Sequence, residues 1–421
     1  MVGTPVGRLV ALAVALLGLT VSLAGQDTPK FAGWVIDEPP AVRNYNLKLG
    51  PVYFDAVADF AVTYNSNVTV NGLNSVDDFI VRAGIRLGSV WELSQFNALQ
   101  FNIGASYEQY LNNPELSSSD SFLNLTPDTE ISGTFLIGDV QIRVFDKITF
   151  SADPTDAVAR DPQTGDIITN VAQFGRFRNV LGLQVGYDFN AFQVSLQASR
   201  RDVWSLERQF NFTDRVAYLV AGNVSRAFYA NLTAGLGASA SWTDFETGIN
   251  NDSRSVGLGP YVTYRPSEFI VIYVGLSANR QFVDFDSGTL TDRSEVDGLS
   301  GNVSISHLLN NHFNHRLSYT REFTDGFTSN FTRFDSLGYQ FSLEELLPVN
   351  LRGNLSHEWG EDSGGSLPDD FTRFSASLRT SYPLAKRINL ILNLGYTEKS
   401  SRLPGRSYDQ LRVSLSSRYD F

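Results

Sequence analysis

Apolar and polar residues alternate along most of this chain with a period of two. Between positions 54 and 64 every second residue is apolar: Phe54, Ala56, Ala58, Phe60, Val62 and Tyr64. Successive side chains of a β-strand point to opposite sides, so this rhythm predicts strands with one apolar and one polar face. The same pattern recurs as far as the C-terminal Phe421, and about eighteen such strands can be counted.

The connections between the predicted strands are of two kinds. Tight turns are predicted at Gly138-Asp139, Asn190-Ala191 and Ser225-Arg226, whereas residues 111–129 and 147–176 form long polar stretches. Short and long connections alternate along the chain, as they do in transmembrane β-barrels. The sequence therefore predicts an all-β fold, a transmembrane antiparallel up-and-down β-barrel of about 18 strands, or of 16 if two weak strands are misread.

Aromatic residues fall near both ends of the predicted strands. Tyr107, Trp242 and Trp359 are examples next to long loops, and Tyr264 and Tyr382 lie next to short turns. Such belts mark the two lipid–water interfaces of membrane proteins. The mean hydropathy of -0.13 is compatible with this prediction, because alternation hides a lipid-facing surface from an average over the sequence.

The N-terminal residues lack this alternation. Arg8 precedes an apolar run at 9–17, and small residues around Ala24 suit a cleavage site, so residues 1–24 are predicted to be a signal peptide. Residues 25–51 contain Pro39-Pro40 and no clear period, and we expect a periplasmic lead-in there. Residues 52–421 are assigned to the outer-membrane barrel.

Composition and charge exclude several kinds of site. The chain has no Cys, which removes disulfides and thiolate metal sites. Its net charge of -12, with no run of Lys or Arg, argues against nucleic acid as a partner.

The C-terminal residues 411–421 resemble the closing strand of bacterial outer-membrane proteins, which end in Phe preceded by alternating apolar residues. Tyr419 and Phe421 match that signal, whereas Ser417 departs from it. The resemblance implies insertion by the barrel insertion machinery into the lipid of the bacterial outer membrane. The layout of strands and loops is similar to that of porins, although no motif assigns a specific porin family, and porins are commonly homotrimers.

The polar phase of the strands carries the residues most relevant to function. Eight arginines fall on it and are predicted to line a pore: Arg82, Arg86, Arg143, Arg316, Arg352, Arg379, Arg412 and Arg418. Loop 147–176 follows the fifth predicted strand, as the constriction loop of porins does, and it contains Asp153, Asp156, Asp161 and Asp166. One hypothesis is that this loop faces the arginines across the pore. The alternative is that the arginines pair with carboxylates of the wall, such as Asp55, Asp59 and Glu358.

The sequence thus predicts a channel for passive diffusion of small polar solutes, and not an enzyme. A non-porin barrel, either an adhesin or a structural protein, is the alternative, and an outer-membrane hydrolase is a weaker one. His307 and His357 fall on the apolar phase and His312 and His315 lie around a predicted turn, so no catalytic set is apparent. No catalytic, cofactor-binding or metal site is therefore predicted, and no cofactor is expected.

Overall fold

The computed structural model describes residues 45–421, apart from 71, 115–123, 127–128, 152–153, 161–166, 174, 207, 327–328, 345–348, 365–367 and 404. The predicted signal peptide and most of the predicted lead-in lie outside the described residues. For residues 154–160 and 167–173 only the backbone is described.

The described residues form strands and one short 3-10 helix at Arg208–Thr213. The strands are β1 Leu47–Leu49, β2 Val52–Asn65, β3 Asp78–Glu92, β4 Ala98–Tyr110, β5 Asn124–Leu125, β6 Glu130–Ile137, β7 Val140–Ser151, β8 Pro154–Arg160, β9 Ile167–Gln173, β10 Arg176–Asp188, β11 Gln193–Ser205, β12 Arg215–Tyr229, β13 Leu232–Phe245, β14 Asp252–Ser267, β15 Ile270–Asp284, β16 Asp297–Leu308, β17 Phe313–Asp325, β18 Phe331–Leu343, β19 Asn350–Asp362, β20 Asp370–Ala385, β21 Ile388–Ser401 and β22 Tyr408–Asp420.

Eighteen of these strands form a closed antiparallel barrel. One sheet contains twenty strands. Two of them, β1 and β5, are short strands that pair with wall strands without being part of the closed wall, so the wall itself has eighteen strands. Each wall strand pairs with its neighbour in the chain, and β22 pairs with β2 from Val57 opposite Asp420 to Asn65 opposite Arg412. The predicted all-β barrel of eighteen strands is confirmed.

The two phases of each strand differ as predicted. The apolar phase faces outward and is exposed; Leu258 and Leu299 each keep 61% of their surface accessible. The opposite phase carries polar residues such as Ser195, Ser277 and Ser304, which are buried against the inner wall. An apolar outer surface around a polar interior is the arrangement of a barrel that spans a lipid bilayer.

The seam between the first and last wall strands includes part of the chain that precedes the barrel. β1 pairs with the start of β2, with Leu47 opposite Phe54. The N–H of Phe421 donates to the carbonyl of Ala56 at 3.1 Å, and the N–H of Asn46 donates to the carbonyl of Phe54 at 2.9 Å. β1 thus continues along the edge of β2 beyond the point where β22 ends.

The connections at one end of the barrel are mostly longer than those at the other end, although the alternation of long and short connections is less regular than predicted. We call the end with connections 66–77, 111–129, 152–175, 206–214, 246–251, 285–296, 326–330, 363–369 and 402–407 the loop end, and the other the turn end. The predicted turn at Ser225-Arg226 is wrong, because β12 continues through a bulge to Tyr229. The predicted loop 147–176 is too long, because β7 extends to Ser151 and pairs with β10 over that length.

The hairpin β8–β9 forms a separate two-stranded sheet within the remaining part of that loop. Its first strand lies against the 3-10 helix of the neighbouring connection 206–214. Phe210 and Phe212 of this helix are fully buried, so the loop end contains a small apolar core of its own. No helix in the part of the chain that the structure describes is long and apolar enough to cross a membrane.

Candidate functional site

All eight predicted arginines lie on the strand phase opposite to the exposed apolar residues, and they therefore point into the barrel. Their surroundings differ. Some are neutralised by a carboxylate, whereas others are not, and this difference decides which of them can interact with a solute.

Four of the arginines form ion pairs. Arg82 pairs with Asp59 at 3.0 Å, Arg352 with Glu344 at 2.7 Å and Arg418 with Asp420 at 2.8 Å. Arg143 pairs with Glu130, which also holds Lys147 at 3.1 Å. In the turn between β18 and β19, the hydrogen bond from Arg352 lowers the pKa of Glu344 and outweighs the opposing effect of burial.

Two arginines are exposed and without such a partner. Arg379 and Arg412 have no carboxylate within ion-pair distance among the described residues. Arg379 lies directly opposite Arg352 on the neighbouring strand and also experiences the charge of Arg418. Opposed like charges are unfavourable, so this part of the inner wall carries an uncompensated positive potential. We call the inward arginines of β19, β20 and β22 in this set, Arg352, Arg379, Arg412 and Arg418, the arginine cluster.

Arg316 and Arg86 occupy other positions. Arg316 donates to the Oγ of Ser304 at 3.0 Å, has no carboxylate partner among the described residues, and leaves its buried Nε without an acceptor. Arg86 lies on β3 opposite Gly104 of β4. The eight arginines therefore do not form one continuous wall.

The side chains of the four aspartates of loop 147–176, which the sequence places opposite the arginines, are not among those that the structure describes. Asp153, Asp161 and Asp166 lie outside the described residues, and only the backbone of Asp156 is described, in β8. The opposition between loop 147–176 and the arginines therefore stays a prediction.

The alternative, in which wall carboxylates pair with the arginines, holds for some of them. Asp59 pairs with Arg82 and lies opposite Arg418 across the closing seam. Glu358 instead pairs with Arg373 of β20 at 2.6 Å. Arg373 was missed in the sequence, although its position on the polar phase of β20 is the same signal that identified Arg379.

Sequence reasoning also missed a polar junction at the loop end, centred on Asp292. The side chain of Asp292 accepts hydrogen bonds from the backbone N–H of Ser294 and of Asn330, both at 2.8 Å, and from the hydroxyl of Ser363. Asp292 is only 2% exposed. Burial alone would raise its pKa, but these hydrogen bonds outweigh burial and hold the pKa below its usual value.

This junction joins connections that belong to different strand pairs. Asp292 lies in connection 285–296, Asn330 in 326–330 and Ser363 in 363–369. Further contacts continue around the rim: Asn251 donates to Asn330 at 2.9 Å, and the N–H of Gly72 donates to the carbonyl of Gly405 at 3.2 Å. Connections of the loop end that belong to different strand pairs are therefore bound to one another along the rim.

A second buried cluster surrounds Asp369. Its carboxylate accepts from Arg406 at 3.1 Å and from the hydroxyl of Ser401 at 2.6 Å, and Lys399 lies 3.9 Å away. Asp369 is 1% exposed, and the Lys399 ammonium also lies over the ring of Phe371 at 4.3 Å. A carboxylate shared by two cations in a buried setting fixes connection 363–369 to 402–407.

The histidines do not form a catalytic arrangement in the described part of the chain. His307 and His315 contact each other, His312 contacts the backbone carbonyl of Glu344, and His357 lies against Trp359. Among the described residues, no group of three or more His, Asp or Glu side chains is arranged to hold a metal ion.

Comparison with known proteins gives matches among solved structures only. No family model matches the chain, and no curated protein does. OpdL of Pseudomonas aeruginosa matches with 12% identity over 89% of this chain and 99% of its own, with a TM-score of 0.48. The outer membrane protein OpdK of the same organism matches with 14% identity over 88% and 99%, with a TM-score of 0.49. An anion-selective porin from Comamonas acidovorans matches with 12% identity over 88% and 99%, with a TM-score of 0.41. The barrel fold of this chain rests on its own strand pairings and on the closure of β22 onto β2, and not on these matches.

Proposed function

We propose that this protein is an outer-membrane channel for the passive diffusion of small polar solutes, and that the arginine cluster favours anionic ones. The observation that carries the proposal is a pair of inward, exposed cations, Arg379 and Arg412, that no carboxylate of the described residues neutralises. A wall of eighteen strands encloses more space than side chains alone can fill, so the interior is expected to contain water.

The charge of the cluster supports a preference for anions. Among the described residues, its four guanidinium groups form ion pairs with two carboxylates, those of Glu344 and Asp420. In a confined aqueous passage, a local excess of positive charge raises the concentration of anions and lowers that of cations. Because Arg379 and Arg412 have no carboxylate partner among the described residues, removing them leaves none of the described carboxylates newly unpaired.

The test is a planar-bilayer measurement under a salt gradient. The double variant Arg379→Ala, Arg412→Ala is expected to shift the reversal potential towards cation selectivity while channels still form. The matched control is Arg254→Ala, Arg280→Ala, which removes two exposed arginines from the outward phase of β14 and β15 and should leave the reversal potential unchanged. Equal reversal potentials for the wild type and the Arg379, Arg412 variant would contradict the anion preference. Failure of the wild-type protein to conduct at all would contradict the channel itself.

The remaining parts of the proposal concern export and assembly. Residues 1–24 act as the export signal, residues 25–51 lie in the periplasm, and Tyr419 and Phe421 are recognised by the barrel insertion machinery. Support for the last point is that Tyr419, near the end of β22, and Phe421, directly after it, are both exposed, with their ring centroids 5.1 Å apart. Loop 147–176 remains the candidate constriction loop, because it carries four aspartates beside the fifth and sixth wall strands.

The second candidate function is a barrel closed at the loop end, acting as an adhesin or a structural protein. The observation that favours it is the Asp292 junction, which joins three of the nine connections of the loop end. Liposome swelling with neutral sugars of increasing size separates the two candidates. A channel admits the small sugars and excludes the large ones, whereas a closed barrel admits none.

A further inference from the structure

Two histidines face each other on the outer surface near the turn end. His307 of β16 lies directly opposite His315 of β17 in the register of the two strands. The Nδ1 of His307 and the Nε2 of His315 are 3.2 Å apart, so one ring nitrogen donates its hydrogen to the other. Both residues lie on the outward phase, in line with exposed residues such as Ile305 and Leu317.

The separation of the two nitrogens matches that of two ligands on one metal ion. Two metal–nitrogen bonds of about 2.0–2.1 Å place their nitrogens about 3.3 Å apart at a tetrahedral angle and about 2.9 Å apart at a right angle. The observed 3.2 Å lies between these values. The distance between the two nitrogens is therefore one that two ligands of a single metal ion can have.

The surroundings hold the two rings in place. His315 contacts the ring of Phe313 at 5.5 Å and that of Tyr339 at 5.8 Å between centroids, and Phe341 lies opposite it on β18. Both histidines belong to paired strands, so their backbones are fixed by the ladder of hydrogen bonds. An apolar shell and a rigid backbone favour metal binding, because the ligands are already positioned before the ion arrives.

We propose that His307 and His315 form a two-histidine site for a divalent transition-metal ion, with water completing the coordination. Both rings bind as neutral imidazoles, and the metal accepts one lone pair from the Nδ1 of His307 and one from the Nε2 of His315. The ring that donates the shared hydrogen in the metal-free protein then carries that hydrogen on its other nitrogen. Imidazole ligands suit Cu²⁺, Ni²⁺ and Zn²⁺, and Cu²⁺ is expected to bind most tightly.

The other two histidines of the chain provide natural controls. The Nδ1 of His312 contacts the carbonyl of Glu344 at 3.1 Å, and His357 packs against the ring of Trp359 at 4.4 Å. Neither has another histidine opposite it. The variants His312→Gln and His357→Gln therefore remove the same side chain without touching the proposed site.

The experiment titrates the purified full-length protein in detergent with CuCl₂ and, separately, with ZnCl₂. One ion is expected to bind per chain, and the electron paramagnetic resonance spectrum of the Cu²⁺ complex should show two nitrogen ligands. His307→Gln and His315→Gln should each weaken binding about tenfold or more, since even groups that only support a metal ligand are worth about tenfold in affinity. The variants His312→Gln and His357→Gln should bind as the wild type does.

Thermal unfolding provides a second readout that does not depend on spectroscopy. An ion that bridges β16 and β17 binds only the folded barrel, so it should raise the unfolding temperature of the wild type but not of the two site variants. Wild-type binding that survives in the double variant His307→Gln, His315→Gln would overturn the proposal. So would the absence of any stoichiometric binding, which would leave the two rings with a hydrogen bond only.

Discussion

Some charged side chains at the loop end of this barrel are buried and have partners, whereas some charged side chains of the inner wall are exposed and have no carboxylate partner among the described residues. At the loop end, Asp292 and Asp369 are almost completely buried and surrounded by donors. On the inner wall, Arg379 and Arg412 are exposed and have no carboxylate partner among the described residues. Buried charges with partners maintain structure, whereas exposed charges without partners remain available to other molecules. Whether a charged residue of this barrel is structural or functional therefore depends on its surroundings and not on its residue type.

The largest effect is expected from Asp369→Ala. This change leaves Arg406 and Lys399, which are 8% and 4% exposed, without their shared carboxylate. Removing one partner of a buried ion pair costs about 3–5 kcal/mol of unfolding free energy. Denaturant unfolding of the protein in detergent micelles, followed by tryptophan fluorescence, measures the loss.

The matched control is Asp370→Ala, one residue further along. Asp370 pairs with Arg402, whose side chain is 77% exposed. An exposed pair contributes about 1 kcal/mol or less. Equal losses of unfolding free energy for Asp369→Ala and Asp370→Ala would show that burial does not determine how much an ion pair of the loop end contributes to stability.

The next effect in size is expected from Asp292→Ala. The N–H groups of Ser294 and Asn330 and the hydroxyl of Ser363 would lose their acceptor. A loss of about 2–3 kcal/mol is expected, because buried donors without a partner are costly. Hydrogen exchange within 285–296, 326–330 and 363–364 should accelerate together, and single-channel conductance should rise if the junction narrows the passage.

Asp286→Ala serves as the control for this junction. Asp286 lies in the same connection, but it is exposed. Its replacement should change the unfolding free energy by less than about 0.5 kcal/mol. Unchanged hydrogen exchange in Asp292→Ala would mean that the three connections hold their positions without the carboxylate.

The wall could be predicted from the sequence because a single local rule governs it. Alternation alone assigns Leu258 to the outside and Arg379 to the inside, and closure of the barrel follows from the number of strands. Strand ends were harder to predict. Polar residues such as Ser225 and Arg226 predict a turn, because the sequence does not show that β12 continues through a bulge.

The contacts of the loop end could not be predicted, since they join residues that are distant in the sequence. Asp292 and Ser363 are 71 positions apart, and their connections meet only after the strands between them are in register. The same limit applies to the arginines. Their inward direction follows from the alternation, but whether each has a carboxylate partner depends on neighbours across strands, as Arg418 and Asp59 show at the seam.

The smallest effect is expected at Asp214, a carboxylate at the loop end that lacks the partners of Asp292. Burial is the main reason why the pKa of Asp214 is raised to about 6. The hydrogen bond from the N–H of Ser205 opposes this rise of the pKa, and repulsion from the charge of Glu246 adds to it. The folded protein then holds a proton that the unfolded chain has released, so wild-type stability falls as the pH rises from about 4 to about 6 and is level above that.

The variant Asp214→Asn removes this dependence. Relative to the wild type it should gain stability between about pH 4 and pH 6, by less than about 1 kcal/mol because solvent screens a half-exposed group. Denaturant midpoints of both proteins at several pH values measure the gain, with Asp139→Asn, in the exposed turn after Gly138, as the control. A constant difference across this range would show that Asp214 is ionised throughout and belongs with the well-satisfied carboxylates of the loop end.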